Sequence, residues 1–127
     1  MKLGLAAWHR HMLGSDPALL DDLIADDAVF HSPVVQTPQA GRDKVMMYLT
    51  AAGQVFGNGT FRYVRELVDG PEVCLEFECE MDGITVNGID LIRFDLQGRI
   101  IDFKVMVRPM KAMTKVWDLM AERMENT

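Results

Sequence analysis

Ten consecutive residues, Glu72-Val73-Cys74-Leu75-Glu76-Phe77-Glu78-Cys79-Glu80-Met81, alternate polar and apolar almost without a break. Successive side chains of a strand point to opposite faces, so this run is a strand that buries Val73, Leu75, Phe77, Cys79 and Met81 and turns Glu76, Glu78 and Glu80 the other way. A helix cannot use the pattern, because a period of two scatters the apolar residues around its circumference. Turn signals bracket the run, Asp69-Gly70-Pro71 before it and Asp82-Gly83 after it. Both neighbours are therefore hairpin partners and antiparallel to it.

The preceding partner is Phe61 to Val68. The following one opens a hairpin over Ile84 to Arg108, with arms Ile84–Phe94 and Arg99–Val107 joined across Asp95-Leu96-Gln97-Gly98. Both arms are rich in β-branched and aromatic residues. Asp90 shares a face with Ile92 and Phe94, and the second arm offers Phe103, Val105 and Val107 to the same side. An acid among five apolar neighbours is either a solvated rim carboxylate or the polar point of an apolar cavity, where desolvation raises its pKa and keeps it a hydrogen-bond donor. The cavity is the expectation carried forward. Gly88, two residues ahead of Asp90, is expected to be a bulge or bend that curls the sheet.

The N-terminal half reads as helices. Leu5, Trp8 and Met12 make a helical stripe, and Gly14-Ser15-Asp16-Pro17 breaks it and starts a second helix, which Ser15 or Asp16 can cap. Leu19, Leu20, Leu23 and Ile24 continue at helical spacing as far as Ala25. Ala28 to Ser32 is a short strand that Pro33 stops. Val34 to Gly41 is a loop, and a third helix runs from about Arg42 to Val55 with Val45, Met46, Leu49 and Ala52 on one side, closed by Gly57-Asn58-Gly59. After Pro109, the spacing of Met110, Met113, Trp117, Met120 and Met124 predicts an amphipathic last helix along that stripe. Helices laid on one face of an antiparallel meander make an α+β fold, and a cleft between the layers is where a small ligand sits.

The chain of 127 residues, 49% hydrophobic, reads as one domain with a substantial core. Its formal net charge of −6 leaves no basic surface for phosphates, which argues against nucleic acid and anionic membrane as partners. Leu3 to Trp8 is too short for a signal-peptide core or a membrane span, and a cytoplasmic protein is expected. Cys74 and Cys79 lie on opposite faces of one strand, ~16 Å apart, and cannot bridge. No histidine has a partner at metal-ligand spacing, so no metal is expected; no cofactor is expected either.

Leu23-Ile24-Ala25-Asp26-Asp27-Ala28-Val29-Phe30-His31-Ser32-Pro33, the helix start Gly41-Arg42-Asp43, and Ile89-Asp90-Leu91-Ile92-Arg93-Phe94 followed by Gly98-Arg99-Ile100 occur in an order and spacing that resemble the nuclear-transport-factor-2-like superfamily, in particular its SnoaL-like and ketosteroid isomerase branches. The resemblance covers roughly Leu3 to Arg108. It implies a cone-shaped α+β fold with a curved antiparallel sheet and, here, an added C-terminal helix. In the isomerases a first-helix tyrosine and a protonated late-strand aspartate hold the dienolate oxygen, and an aspartate before a proline is the base. Those positions fall on Trp8, Asp90 and Ser32. A serine hydroxyl has no basicity near neutral pH, so the proton-shuttling contribution of ~10²–10⁴ is missing at that place, while Trp8 keeps one N–H donor. The resemblance also puts Tyr48 toward the cavity, where its hydroxyl can join Ser32 or Asp90.

These residues give two readings. One is a cofactor-free isomerase, cyclase or dehydratase acting on a small apolar molecule, with Asp90 as acid or oxyanion partner and Tyr48, Phe77, Ile92, Phe94, Phe103, Val105 and Val107 as walls. The other is a non-catalytic carrier or protein-interaction module, with Trp8 as ordinary core and Ser32 as a wall residue without chemistry. A second titratable group in the cavity separates them. His11 lies ~60° from Trp8 around the first helix and can reach a cavity edge or face solvent, and His31 is out of phase with Ser32 and points away. The outward Arg93, Lys104 and Arg108 oppose Glu76, Glu78 and Glu80 in sign, with Leu91 and Met106 among them. That mixed face is expected to join two copies as a homodimer; otherwise it is a wet face with weak ion pairs.

Overall fold

The structure, a computed structural model, describes residues 2–14, 17–57 and 59–125. The elements follow the order α1 (Lys2–Gly14), α2 (Pro17–Leu23), β1 (Ile24–His31), β2 (Gln39–Ala40), α3 (Arg42–Phe56), β3 (Arg62–Asp69), β4 (Glu72–Met81), β5 (Ile84–Phe94), β6 (Ile100–Arg108) and α4 (Met110–Glu125). The strands form one curved, unclosed sheet in the order β2-β1-β6-β5-β4-β3, with the helices on one face. The four long strands are the expected antiparallel meander. β1 joins it running parallel to β6, with Phe30 opposite Phe103 and His31 opposite Lys104.

The alternating run is the middle of that meander, and Val73, Leu75, Phe77, Cys79 and Met81 are all buried. Trp8 from α1, Leu20 and Leu23 from α2, Val45, Leu49 and Phe56 from α3, and Val116 from α4 close over it. Arg42 fixes the start of α3 by donating to the carbonyls of Asp21 and Ile24 and to the Asp21 carboxylate. The two cysteines are free, Cys79 buried and Cys74 half-buried.

Four expectations need correction. Ile24 and Ala25 belong to β1, not to the second helix, because pairing of Ile24 with Ile100 on β6 outweighs local helical spacing. The loop before α3 contains the two-residue β2, paired to Val29 and Phe30. Gly88 is not a bulge: the pairing runs regularly through it. A Cβ there would stand 2.3 Å from the Met106 carbonyl oxygen and 2.6 Å from the Phe77 ring, so the glycine makes room for both. α4 buries Ala112, Val116 and Met120, of which only Met120 belongs to the predicted stripe, and leaves Met110 and Trp117 exposed. Ala112, Val116 and Met120 also recur at four-residue steps, and α3, β5 and β6 decide which face is covered. The caps proposed at Ser15 and Asp16, Asn58 in the helix stop, and the Met124 side chain lie outside the described residues.

On the outer sheet face, Glu76 and Glu78 are paired by Arg65 (3.0 Å) and Arg62 (2.8 Å), both from β3, and Arg93 pairs with Glu72 (2.5 Å). The partners differ from those expected because the β3–β4 register places the arginines of β3 directly opposite the glutamates. Among the described residues no helix is long and apolar enough to cross a membrane.

Candidate functional site

Asp90 is the one buried acid among the described residues, and three elements position it. β5 turns its side chain inward opposite Val105 of β6 and Leu75 of β4. From β3, the Tyr63 hydroxyl donates to Asp90 Oδ2 at 2.6 Å. From α1, the Trp8 indole N–H donates to the Tyr63 oxygen at 3.0 Å. The result is a chain of hydrogen bonds, Trp8 to Tyr63 to Asp90, in which each donor has one acceptor.

Tyr63 reaches the inner face through a bulge. From the Asp69–Glu72 turn, the pairing runs regularly as far as Arg65 opposite Glu76, and then Tyr63 stands opposite Phe77. Val64 is the extra residue. Without it the count would put Val64 opposite Phe77 and turn Tyr63 outward toward Glu78.

Trp8 and Asp90 stand at the wall of a cavity of about 50 Å³, lined by Trp8, His11, Met12, Leu49, Ala52, Gly53, Phe56, Phe61, Phe77, Asp90, Phe103 and Val105, with Tyr63 behind them. That is room for roughly three or four water-sized groups. Its aromatic wall is ordered: Phe61 stacks on Phe77 at 5.0 Å, Phe56 meets Phe77 edge-on at 5.4 Å, and Phe103 meets Trp8 edge-on at 5.1 Å. The apolar lining sets the electrostatics. Burial pushes the Asp90 carboxyl up to about 7, and the Tyr63 hydrogen bond holds it back only in part. Tyr63 is pushed well above its ordinary value, first by burial and then by the negative charge of Asp90. A carboxyl in this state is half protonated near neutral pH, and it can donate to an oxygen in the cavity or accept from a hydroxyl.

Of the residues picked out from the sequence, Asp90, Trp8, Phe77, Phe103 and Val105 come together here. Ile92 and Phe94 are buried in the core away from the cavity wall. Tyr48 stacks on Phe30 at 5.4 Å and does not line the cavity. Ser32 sits apart, its hydroxyl accepting from the Val34 N–H at 3.1 Å. Together with Val107, Lys104 and Met113 it lines a separate recess of about 560 Å³, and Val105 forms a wall of both spaces. His31 does not line the Asp90 cavity; it borders the same recess as Ser32, 2.9 Å from Asp102.

The sequence does not single out Tyr63, because alternation counted from the turn puts it on the wrong face. The signal for it was faint: an aromatic residue two positions after Phe61. His11, which helical spacing alone allows at a cavity edge or in solvent, lines the cavity, its ring 5.3 Å from the Trp8 indole.

The sequence matches the SnoaL-like domain family over residues 5–103. Among solved structures, the chain is similar to a steroid delta-isomerase from Pseudomonas aeruginosa, with 40% identity, 98% of this chain and 91% of that one covered, and a TM-score of 0.92. It is also similar to an uncharacterised bacterial protein with a cystatin-like fold from Silicibacter pomeroyi (34% identity, 94% and 84% covered, TM-score 0.85). An NTF2-like protein of unknown function from Mesorhizobium loti follows at 26% identity, 85% and 90% covered, and a TM-score of 0.73. No functionally curated protein matches the sequence.

Proposed function

Because the chain belongs to the SnoaL-like domain family, we propose that its cavity takes a compact, mainly apolar molecule by one carbonyl or hydroxyl oxygen, held by Asp90 with Tyr63 and Trp8 behind it. The observation that carries this reading is the buried carboxyl itself. It stands in an aromatic and aliphatic lining, Tyr63 engages only its Oδ2, and its pKa is near neutral. A group of that kind holds a neutral oxygen in its protonated form, and a developing oxyanion more strongly still. The chemistry this supports is isomerisation, cyclisation or dehydration driven by side-chain acid and base.

Cavity size restricts the ligand. Sites for drug-sized molecules run to ~300–1,000 Å³, and the cavity here is about 50 Å³. A steroid skeleton, the substrate named for the Pseudomonas aeruginosa relative, exceeds it, so the cavity suits a small molecule or the oxygen-bearing end of a larger one. A carrier without catalysis is the second reading; it draws on Ser32, whose hydroxyl is occupied by Val34 and stands outside the cavity. The first test is carboxyl-carbon NMR of Asp90 during titration with cyclohex-2-enone, using cyclohexene as the ligand without oxygen and Asp90→Asn for assignment. The ketone is expected to move the Asp90 resonance and the hydrocarbon to leave it; a resonance that ignores the ketone removes the proposal.

The outer sheet face supports pairing with a second copy. Two adjacent cross-strand rows there carry Leu67, Cys74 and Leu91 beside Lys104, and Ile89 and Met106 beside the paired Arg65 and Glu76, with Leu67, Leu91 and Met106 exposed. One flanking row carries Asp69, Glu72, Arg93 and Asp102, and the other Arg62, Glu78 and Arg108. A two-fold axis along these two central rows lays the more acidic flank of one copy on the more basic flank of the other. Two free thiols fit a reducing, cytosolic setting.

A further inference from the structure

We propose that His11 is the proton acceptor of this site: a carbonyl compound whose oxygen is held by Asp90 presents its α-carbon to the His11 imidazole, which removes the proton. The inference rests on the reading of Asp90 as the oxygen-binding group and adds the base that Ser32 does not supply.

The placement comes from α1. Trp8 and His11 are three residues apart, so both lie on the helix face that closes the cavity. The Trp8 indole is fixed by its bond to Tyr63, and the His11 ring rests 5.3 Å from it, tilted by 42°. Among the described residues that line the cavity, His11 and Asp90 are the two with ionisable side chains. In so small a space, a molecule bonded to one wall touches the others. A carbonyl oxygen and its α-carbon are separated by two bonds, which suits one group holding the oxygen and another meeting the C–H.

The groups facing His11 set its chemistry. α3, β4 and β6 present only apolar side chains to the cavity, β5 presents Asp90, and β3 stands behind with Tyr63. On α1 itself, His9 is bonded to Glu66, and Arg10 is exposed. The acid that shares the cavity lining with the imidazole is Asp90, half protonated near neutral pH. In the step, the α-C–H bond breaks and its proton goes to the imidazole nitrogen. The bonding pair forms the C=C bond, and the carbonyl π pair moves to oxygen, which takes the Asp90 hydrogen bond or its proton. Return of the proton from the imidazolium to the same carbon gives exchange, and to the γ-carbon of an unsaturated ketone gives isomerisation. No oxidant or reductant is consumed.

The experiment uses cyclohex-3-enone and follows two signals: isomerisation to cyclohex-2-enone by absorbance, and displacement of the Asp90 carboxyl resonance by added cyclohex-2-enone. Wild-type protein is expected to isomerise the probe at a rate that rises with pH as the imidazole loses its proton. In His11→Gln the rate should fall ~10²–10⁴-fold, the ordinary contribution of a positioned base, and lose the rising limb, while the Asp90 displacement persists and attests an intact site. Free imidazole should restore part of the rate to His11→Ala. Equal rates in wild type and His11→Gln overturn the proposal, as does a wild-type protein that binds cyclohex-2-enone without isomerising cyclohex-3-enone. If cyclohex-2-enone fails to move Asp90 in wild type, the oxygen-binding reading falls, and the role of His11 with it.

Discussion

The Tyr63 hydroxyl reaches Asp90 across an intervening strand. The two residues sit on β3 and β5, with β4 between them, and their oxygens are 2.6 Å apart on the inner face. That bond and the burial around it act on the carboxyl in opposite directions, and burial prevails.

The balance makes stability depend on pH in an unusual sense for an aspartate. The folded chain keeps the Asp90 proton up to about pH 7, whereas the unfolded chain releases it near 3.8. The folded state therefore binds more protons between those values, and the contribution of Asp90 is fully present below pH ~4 and is lost as pH rises toward 7. The loss is on the order of 4 kcal/mol. Chemical denaturation of wild type and Asp90→Asn at several pH values is expected to give a stability difference that moves against wild type over this range and levels off above it. A constant difference would mean that the carboxyl titrates normally.

Tyr63→Phe removes the hydroxyl that links Trp8 to Asp90. The variant should lose about 1–3 kcal/mol, because an indole N–H and a carboxyl oxygen lose their partner in a buried place. The Asp90 titration should move further up, since the tyrosine bond is what lowers it. Carboxyl-carbon NMR reads the shift, and a downward movement would contradict the bond.

Ser32→Ala separates the two spaces. The Ser32 hydroxyl serves the Val34 N–H and lines the outer recess, so its removal should cost at most about 1 kcal/mol. Cyclohex-2-enone should displace the Asp90 resonance with unchanged affinity. A weakened affinity would join Ser32 to the site.

Gly88→Ala tests the packing beneath the cavity. Its Cβ would press on the Met106 carbonyl and on the Phe77 ring, which also forms part of the cavity wall. A loss of about 1–3 kcal/mol is expected from the overpacking, with weaker ketone binding as Phe77 is displaced. Thermal unfolding and the same NMR titration report both effects.

Met106→Lys replaces the exposed apolar side chain at the β6 end of one of the two central rows with a charge. If that face joins two copies, sedimentation should change from dimer to monomer while Asp90 keeps its titration. A wild-type monomer at micromolar concentration would remove the pairing.

Local pattern determined a great deal about this chain. Strict alternation made β4 unmistakable and, with the turns on either side, dictated the meander. It also turned Asp90 inward with Ile92 and Phe94, because the side-chain period of a strand depends on nothing beyond the strand. The face of α4 was another matter: its apolar residues offer more than one stripe, and the covering elements selected Ala112, Val116 and Met120. Tertiary structure also decided the working parts of the site. One extra residue at Val64 turns Tyr63 inward, since a register shift of one reverses every face beyond it. His11 meets the space in front of Asp90, 79 positions along the chain, only because α1 closes over the meander. Ser32, whose place before Pro33 suggested a role beside Asp90, is held apart with Val105 between the two spaces. Alternation and turn chemistry act between near neighbours and can be read one stretch at a time, whereas bulges and helix docking are settled by long-range packing.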